Sequence, residues 1–539
     1  MTFRFCSKVA VLLLPLCAAA EVQFVDVTTA AGITFRHRNG ATAEKHTPET
    51  MGSGLAFFDY DSDGWLDLYF VNSAGSGGLY RNRGDGSFEE TTERAGVANS
   101  GFGMGCAASD YDNDGDLDLY ITCYGPNIYY RNNGDGTFTD VTASAGVGDP
   151  GLSTGAAFAD FDLDGDVDLY VANYAVYPPE PYVPCSRNGM QVYCGPEAFE
   201  PQPDVFYRNE GDGTFTNIAE DVGLRPYAAI EFGGAFGDYD GDGDPDLYCV
   251  ADGSPNLLYR NDGGHFTEIG ILAGVAYDSE GKPLSGMGVS VGDYNNDGLA
   301  DLFVTNYQWE TDNLYRNLGD MVFSEGIFES GLGVPSLTYL AWGAIFFDYD
   351  SDGDRDLFVT TGHHDDNVEQ FDAVTYAMQN RLFANDGSGR FVDVSDTAGP
   401  GLALVQVSRG VAAGDYDNDG DVDLAISNNN QPAVLLRNDG GNQNRWLGLK
   451  LVGAGPPLSS RDGIGARVEV AAGDLVQMDE VRSGSSYLCQ SDLRLYFGLG
   501  ARNQADRVEI HWPSGVIQRL TAVKTNQILT VFEAGEPED

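Results

Sequence analysis

Residues 110–118 read Asp-Tyr-Asp-Asn-Asp-Gly-Asp-Leu-Asp, and this aspartate loop decides the fold. The pattern Asp-x-Asp-x-Asp-Gly-x-x-Asp recurs in seven copies, one of them altered, whose starts are separated by 51, 50, 78, 55, 55 and 67 residues. A repeat of about 50 residues is typical of a β-propeller blade, since a parallel β-helix has shorter units. The loops start at Asp59, Asp110, Asp160, Asp238, Asp293, Asp348 and Asp415.

Two further sequence motifs in each unit supply the remaining strands of a four-stranded blade. One is an apolar pair followed by Arg-Asn, as in residues 79–82, and the other is led by Phe, as in residues 138–142. With the runs before and after the aspartates, they give four short strand signals per unit. A copy of the Phe-led motif begins at Phe24, before the first aspartate loop, and no copy follows the seventh Arg-Asn strand. We therefore predict an all-β, seven-bladed propeller whose N-terminal strand closes the last blade and removes free sheet edges.

The aspartate loops are predicted metal sites. Carboxylates at alternate positions of a tight turn converge on one point, and such oxygen ligands suit Ca²⁺ better than a transition metal. An EF-hand would have Glu at the twelfth position, but Ile121 stands there in the second copy, within a predicted strand. The ninth residue is therefore the predicted closing ligand, and by analogy with other calcium loops the seventh supplies a backbone carbonyl. The predicted side-chain ligands of up to seven Ca²⁺ ions are Asp59, Asp61, Asp63 and Asp67; Asp110, Asp112, Asp114 and Asp118; Asp160, Asp162, Asp164 and Asp168; Asp238, Asp240, Asp242 and Asp246; Asp293, Asn295, Asp297 and Asp301; Asp348, Asp350, Asp352 and Asp356; and Asp415, Asp417, Asp419 and Asp423.

The fifth loop departs from the pattern, because Asn295 replaces the second aspartate. An amide oxygen still coordinates a hard cation, so we expect this site to be the weakest of the seven. In a single copy, Asp and Gly residues would be explained by turn formation alone. Seven copies with one internal spacing favour metal binding instead.

The charge balance excludes two classes of partner. The formal net charge is −52, which repels both nucleic-acid backbones and anionic lipid surfaces. So much negative charge also costs stability unless cations neutralise it, which agrees with bound divalent metal. We expect a monomer that binds neither nucleic acid nor membrane.

The N-terminus and the cysteines indicate export. Residues 1–20 have basic residues, then an apolar run, then Ala18-Ala19-Ala20, which predicts a cleaved signal peptide and a secreted, extracellular or periplasmic protein. Cys185 and Cys194 flank an Asn-Gly pair of the kind that forms hairpin turns, so we predict a disulfide between them. The other cysteines of the mature chain are expected to be buried thiols.

In these repeats the chain resembles the FG-GAP and VCBS-type propellers, which are related to the calcium-binding blades of integrin α subunits. Residues 463–468, 480–484, 495–500 and 511–515 resemble the ASPIC/UnbV domain. The resemblance implies an FG-GAP/VCBS propeller over residues 22–440, followed by an ASPIC/UnbV domain over residues 443–534. Short β-type runs between Gly and Pro turns predict that this second domain is a small β-sandwich.

Tracing the strands places the aspartate loops on one face and two long excursions, residues 173–204 and 362–380, on the other. Long loops commonly carry function, so we predict an extracellular binding, adhesion or scaffold module that recognises a protein or a glycan on that second face. The alternative is that these loops only cap the propeller. Aromatic side chains that suit either ligand are Tyr174, Tyr177, Tyr182 and Tyr193.

An enzyme is the competing class, since some calcium propellers act on polysaccharides as lyases. His363, His364, Asp365 and Asp366, with His46 and Glu49, offer a base or a second metal site. No nucleophile motif, phosphate loop or complete zinc set accompanies them in the sequence, and we predict no catalytic residue.

Overall fold

The computed structural model describes residues 22–178, 181–224 and 229–534, and strands dominate it. Within these ranges, seven four-stranded antiparallel sheets confirm the predicted blades, whereas the predicted signal peptide, residues 1–20, lies outside the described residues. The strands of the first four blades are Leu55–Phe58, Asp67–Phe70, Gly78–Asn82 and Phe88–Glu90; Phe102–Ser109, Asp118–Tyr124, Ile128–Asn132 and Phe138–Asp140; Ser153–Ala159, Asp168–Asn173, Val205–Asn209 and Phe215–Asn217; and Glu231–Gly237, Asp246–Ala251, Leu257–Asn261 and Phe266–Glu268.

The last three blades include the predicted closure by the N-terminal strand. Gln23–Asp26 forms the outer strand of blade seven, where Phe24 pairs with Asn438. The strands of these blades are Val289–Gly292, Asp301–Val304, Asn313–Asn317 and Phe323–Glu325; Ala341–Phe347, Asp356–Thr361, Arg381–Asn385 and Phe391–Asp393; and Ser408–Gly414, Asp423–Asn428 and Val434–Asp439 with the N-terminal strand.

Both faces of each blade are buried, which explains why the inner strands read as unbroken apolar runs. Consecutive side chains of a strand point to opposite faces. In blade two, Leu119 therefore packs towards blade one and Tyr120 towards blade three. The first strand of blade one also contacts the first strand of blade seven, so the packing continues round the whole ring.

One side-chain hydrogen bond links every blade to the blade before it. The donor is the side-chain amide of the Asn in the Arg-Asn motif. The acceptor is a backbone carbonyl in the preceding blade, that of the second residue of its aspartate loop. Asn132 donates to Tyr60 at 2.7 Å, and Asn82 joins blade one to blade seven by donating to Tyr416 at 2.8 Å. The other bonds are Asn209 to Tyr111, Asn261 to Phe161, Asn317 to Tyr239, Asn385 to Tyr294 and Asn438 to Tyr349.

The residues after the last blade form two sheets that face each other, as the predicted β-sandwich requires. Apolar side chains from both sheets, such as Leu449 and Val508, share one core, which also includes residues of blades two and three. In sheet order, the strands are Leu495–Gly500, Arg445–Val452 and Ile528–Phe532 in one sheet, and Leu475–Glu480, Arg467–Ala472, Gln504–His511 and Ile517–Lys524 in the other.

In the described ranges, helical segments are few and short, and two small strand pairs lie outside the blades and the sandwich. The strand pairs are Cys185–Arg187 with Met190–Val192, and Met378–Gln379 with Val405–Gln406. The α-helical turns are Pro48–Met51, Thr92–Ala95, Thr142–Ala145, Gly270–Ala273 and Gly333–Ser336, and the 3₁₀ turns are Pro196–Ala198, Val368–Gln370, Pro400–Ala403 and Gly441–Gln443.

A segment of the C-terminal sandwich, residues 483–491, enters the centre of the propeller; we call it the plug. Its backbone bonds to the first strands of several blades: Ser486 exchanges two hydrogen bonds with Val289, and Leu488 accepts one from Cys106. The tip residue, Tyr487, is 1 % exposed and donates its hydroxyl to the Met51 carbonyl at 3.0 Å. The centre of the ring is therefore filled by the chain itself.

Candidate functional site

The aspartate loops repeat one backbone path, because the fourth and sixth residues have positive φ in all seven. In blade two, the first aspartate, Asp110, accepts the N–H groups of Asp114 and Gly115 at 3.0 and 2.8 Å. This curl brings one carboxylate oxygen from each of positions one, three and nine to within 4.8 Å of one another in the first three loops. These groups are Asp59, Asp61 and Asp67; Asp110, Asp112 and Asp118; and Asp160, Asp162 and Asp168.

The ninth-position aspartate also fixes the loop to its blade. Asp118 is 1 % exposed, and its two oxygens accept the N–H groups of Tyr111 and Asn132 at 3.2 and 2.7 Å. The fifth-position Asp114 stands outside the 4.8 Å group, and its Oδ1 accepts the N–H of Asp116 at 3.0 Å. Its predicted role as a ligand therefore stays a prediction.

The loops concentrate negative charge in partly buried positions, which fits a bound cation. Burial raises the pKa of Asp160 to about 7, and burial together with repulsion from Asp462 raises that of Asp110 to about 8. Buried carboxylate oxygens without any hydrogen-bond partner occur at the third position of loops one, six and seven. A hard divalent cation would satisfy such oxygens, because all the side-chain donors of the set are oxygen atoms. The unpartnered atoms are Oδ1 of Asp61, Asp350 and Asp417.

The C-terminal sandwich covers part of the aspartate-loop face, an arrangement that the sequence analysis did not predict. Asp462 accepts the N–H of Asp110 at 3.1 Å, and Arg494 donates to the carbonyl of Asp415 at 2.8 Å. The sandwich also places a basic group beside a first-position aspartate, since Lys450 lies 4.0 Å from Asp59. The loops therefore form an internal interface as well as candidate metal sites.

A cavity of about 630 Å³ lies at the other mouth of the ring, where the sequence analysis placed the recognition face. Both long excursions contribute to its wall, the first through the hairpin that the Cys185–Cys194 disulfide joins. Aromatic lining residues are Tyr174, Tyr193, Phe232, Tyr307 and Trp342, and charged or ionisable ones are Arg187, Glu197, Asp252, His364 and Asp365.

A buried arginine supports this mouth from within. Arg409 is fully buried, and its guanidinium lies 3.8 Å from the ring centroid of Trp342. It donates to the carbonyl of Thr50 at 2.7 Å and to that of Ser408 at 2.9 Å. Tyr487 of the plug packs against the same Trp342 ring, with 4.9 Å between the two ring centroids. The plug therefore helps to form the floor beneath the cavity.

The histidine pair is held neutral. Burial lowers the pKa of His363 and of His364 to about 3. His363 Nδ1 accepts the N–H of Asp365 at 2.9 Å, and its Nε2 lies 3.4 Å from the Tyr307 hydroxyl. Because both nitrogens of His363 have partners, this side chain is a poor general base.

Two of the four predicted tyrosines line the cavity, and two hold the N-terminal segment against its rim. Tyr174 donates to Asp252 at 2.7 Å, and Tyr193 lies beside Glu49. Tyr177 bonds to His46 at 2.6 Å, and Tyr182 donates to the backbone of residues 44 and 45.

Two polar atoms of lining residues, Ser254 Oγ and His364 Nδ1, are buried and have no hydrogen-bond partner among the residues that the structure describes. Buried polar atoms are nearly always paired, so these two stand out in the lining.

The plug was missed by sequence reasoning, although a signal for it exists. A glycine stands five residues before every aspartate loop. At five of these positions, Gly54, Gly105, Gly288, Gly343 and Gly410, an added Cβ would press against plug atoms. The glycines are Gly54, Gly105, Gly155, Gly233, Gly288, Gly343 and Gly410.

The fold and the loops define a seven-bladed propeller built from aspartate-loop repeats. The family described as FG-GAP-like repeat matches residues 59–121, 110–171, 192–249, 238–304, 293–359 and 372–426, and the family described as ASPIC and UnbV matches residues 456–538. The chain therefore belongs to the FG-GAP-like repeat family, and its C-terminal region belongs to the ASPIC and UnbV family.

Among characterised proteins, the chain is similar to cartilage acidic protein 1. It is 27% identical to the Mus musculus protein over 366 residues, which are 64% of this chain and 51% of that protein. It is 26% identical to the Homo sapiens protein over 360 residues, or 63% of this chain and 49% of that protein. The chain thus matches about half the length of these relatives.

Two solved structures are also similar. A structure of an Agrocybe aegerita lectin, described as recognising non-reducing terminal N-acetylglucosamine, covers 72% of this chain and 94% of its own at 16% identity, with a TM-score of 0.40. Saccharomyces cerevisiae Sqt1 covers 70% of this chain and 82% of its own at 10% identity, with a TM-score of 0.39. Across the described part of the chain, none of the helices has the length and apolarity that a bilayer crossing requires.

Proposed function

We propose that this protein is an exported binding module, in which Ca²⁺ ions in the aspartate loops brace one face of the propeller and a partner binds at the other. The observation that carries the proposal is the cavity of about 630 Å³ opposite the loops, whose lining combines aromatic side chains such as Tyr174 and Trp342 with a few polar ones such as Asp252. A concave site with aromatic walls and a few directed polar groups is the usual form of a ligand-binding site.

Export is supported by the N-terminal pattern of residues 1–20 and by the disulfide between Cys185 and Cys194. Disulfides persist mainly in proteins outside the cytosol. The partner is an extracellular protein or a glycan, and the module acts as a monomer.

Calcium binding is supported by the grouped carboxylates and by their unpartnered oxygens. The ions would be held by the first-, third- and ninth-position side chains described above. A bound divalent ion supplies positive charge that offsets the repulsion among these carboxylates. It would also tie the loops to the blades, because the ninth-position aspartates bond to the neighbouring strand.

The test is a screen for glycans and cell-surface proteins, run with calcium and with a chelator, on the wild type and on two matched variants. Ser254→Trp places an indole in the cavity lining, and Ser388→Trp makes the same change in an exposed turn of the aspartate-loop face. We expect binding that Ser254→Trp abolishes and Ser388→Trp leaves unchanged. A partner that binds both variants equally would overturn the assignment of the recognition face.

His363, His364 and Asp365 each place one ligand atom within 4.8 Å of the others, so the second metal site there stays a prediction. The enzyme hypothesis gains no support from His363 as a general base, since this side chain is fully buried and both its nitrogens have partners. The same screen checks it, because we expect the polymers on the array to remain intact after incubation. Release of shorter or unsaturated saccharides would favour the lyase-like alternative.

A further inference from the structure

The charged groups that line the cavity are mostly acidic. Among the residues that the structure describes, three carboxylates contribute to the lining, from Glu197, Asp252 and Asp365, against one guanidinium, from Arg187. The formal excess is two negative charges in a partly enclosed space where solvent screening is weak.

The single guanidinium already has a partner outside this set. Arg187 lies 3.4 Å from Asp372, and its guanidinium is 5.0 Å from the ring centroid of Phe371. Asp365 is also engaged, since it accepts the N–H of Tyr193 at 2.9 Å and lies 3.3 Å from His364. The Arg187 guanidinium is therefore not left to neutralise the remaining two carboxylates, those of Asp252 and Glu197.

Asp252 and Glu197 lack a cationic partner within residues 22–178, 181–224 and 229–534. Over those ranges the hydroxyl of Tyr174, at 2.7 Å, is the one hydrogen-bond donor to the Asp252 side chain, and the Glu197 side chain has none. The nearby Glu310 is paired with Lys282 at 3.0 Å. Burial, with repulsion from Glu310 and Glu197, raises the pKa of Asp252 to about 7. A buried carboxylate is costly unless a cation or several donors compensate it.

The aromatic lining favours the same kind of group. Aromatic faces attract ammonium and guanidinium ions through the ring quadrupole, most strongly where water is excluded. The cavity wall already shows this contact, since the guanidinium of Arg409 lies 3.8 Å from the Trp342 ring centroid. Tyr174, Phe232 and Tyr307 line the same space. A carboxylate beside aromatic rings is complementary to an organic cation, whereas a neutral saccharide would leave the charge of Asp252 uncompensated.

We propose that this cavity binds an alkylammonium or guanidinium group, held by Asp252 and Glu197 against the aromatic wall. This inference rests on the proposed function and specifies the chemistry of its ligand. The cation belongs either to a free amine or to a Lys or Arg side chain of an extracellular partner.

The experiment is isothermal titration calorimetry at about 150 mM salt, which screens the diffuse attraction of any cation to this acidic protein. The free-amine probes are cadaverine and agmatine, and the side-chain probe is a short peptide with a single Lys. 1-Pentanol and methyl glucoside are the uncharged controls. We expect saturable binding of the charged probes and none of the uncharged ones. Stronger binding of the peptide than of cadaverine would identify a polypeptide as the source of the cation, and the reverse would identify a free amine.

The matched variants are Asp252→Asn and Asp262→Asn, which remove the same charge. Asp262 is an exposed residue that follows the third strand of blade four and pairs with Arg260, away from the cavity. We expect Asp252→Asn to weaken binding by about tenfold or more, and Asp262→Asn to leave it unchanged, because Asp252 would contact the ligand and Asp262 lies outside the cavity. Glu197→Gln at the exposed rim is a second test that does not disturb buried contacts.

Equal affinities of all three variants and the wild type, or preferential binding of methyl glucoside, would overturn the inference. The outcome is separable from that of the proposed function. If Ser254→Trp abolishes capture of a partner while no charged probe binds, the recognition face stands and the cation assignment falls. If the charged probes bind but Ser254→Trp still captures the partner, the recognition face falls instead.

Discussion

Replacing Gly54 by Ala tests whether the plug is seated in the channel as described. A Cβ built at Gly54 would lie well inside van der Waals distance of the Leu488 carbonyl oxygen and 2.9 Å from the Cα of Gly105. Gly233 occupies the same position in blade four, but the nearest atom to its added Cβ is 3.7 Å away. The two substitutions therefore add the same methyl group at equivalent positions of the repeat. Only the one at Gly54 makes it collide with the plug.

The expected magnitudes follow from these contacts. Overpacking a well-packed interior costs about 1–3 kcal/mol. Displacing the Leu488 carbonyl also weakens the hydrogen bond that it accepts from Cys106 at 3.2 Å, which costs about 1 kcal/mol. Gly54→Ala should therefore lower the free energy of unfolding by about 2–4 kcal/mol. Gly233→Ala should raise it by about 0.5 kcal/mol, because Ala restricts the unfolded chain more than Gly does.

The assay is urea denaturation at saturating calcium, followed by circular dichroism and by tryptophan fluorescence. A difference between the two variants of less than about 0.5 kcal/mol, the usual scatter of neutral substitutions, would refute the seating of the plug. A double-mutant cycle gives an independent check. A Cβ at Gly410 would collide with Cys489 Sγ, so Gly410→Ala should cost less in a Cys489→Ala background than in the wild type.

Three further predictions concern the loops and a buried histidine. Chelation with EDTA should lower the melting temperature, since a ligand that binds only the folded state stabilises it; equal melting with EDTA and with calcium would contradict metal binding. Asp417→Ala should remove one calcium equivalent in a titration while the ring stays folded, because Asp417 Oδ1 is an unpartnered candidate ligand of a single loop; an unchanged stoichiometry would exclude it. Burial lowers the pKa of His37 from 6.5 to about 3, so the unfolded chain takes up this proton first and stability should fall as pH decreases below about 6.5. His37→Asn should flatten this decline between pH 7 and pH 4 in urea melts, and an unaltered slope would rule out His37 as a cause.

The sequence by itself determined the blades, because their information is local and repeated. The aspartate loop, the Arg-Asn strand and the Phe-led strand recur within about 50 residues, which is the scale on which hairpins and turns form. The closure of the ring could also be predicted, since the motif that the last unit lacks begins at Phe24. In the structure Phe24 pairs with Asn438 of the last blade. Tracing the strand directions in the sequence also predicted which face of the propeller carries the two long loops.

Only the tertiary structure decided what the C-terminal sandwich does. Its contacts with the propeller join residues hundreds of positions apart, such as Cys106 and Leu488, and no periodic pattern specifies such a pairing. The repeated glycine indicated that something approaches the first strands closely, but not that a segment of the same chain fills the space. The charge of the cavity is likewise a tertiary property. The sequence does not show which acidic residues lack a basic partner, and only the fold leaves Asp252 and Glu197 without one among the residues that the structure describes.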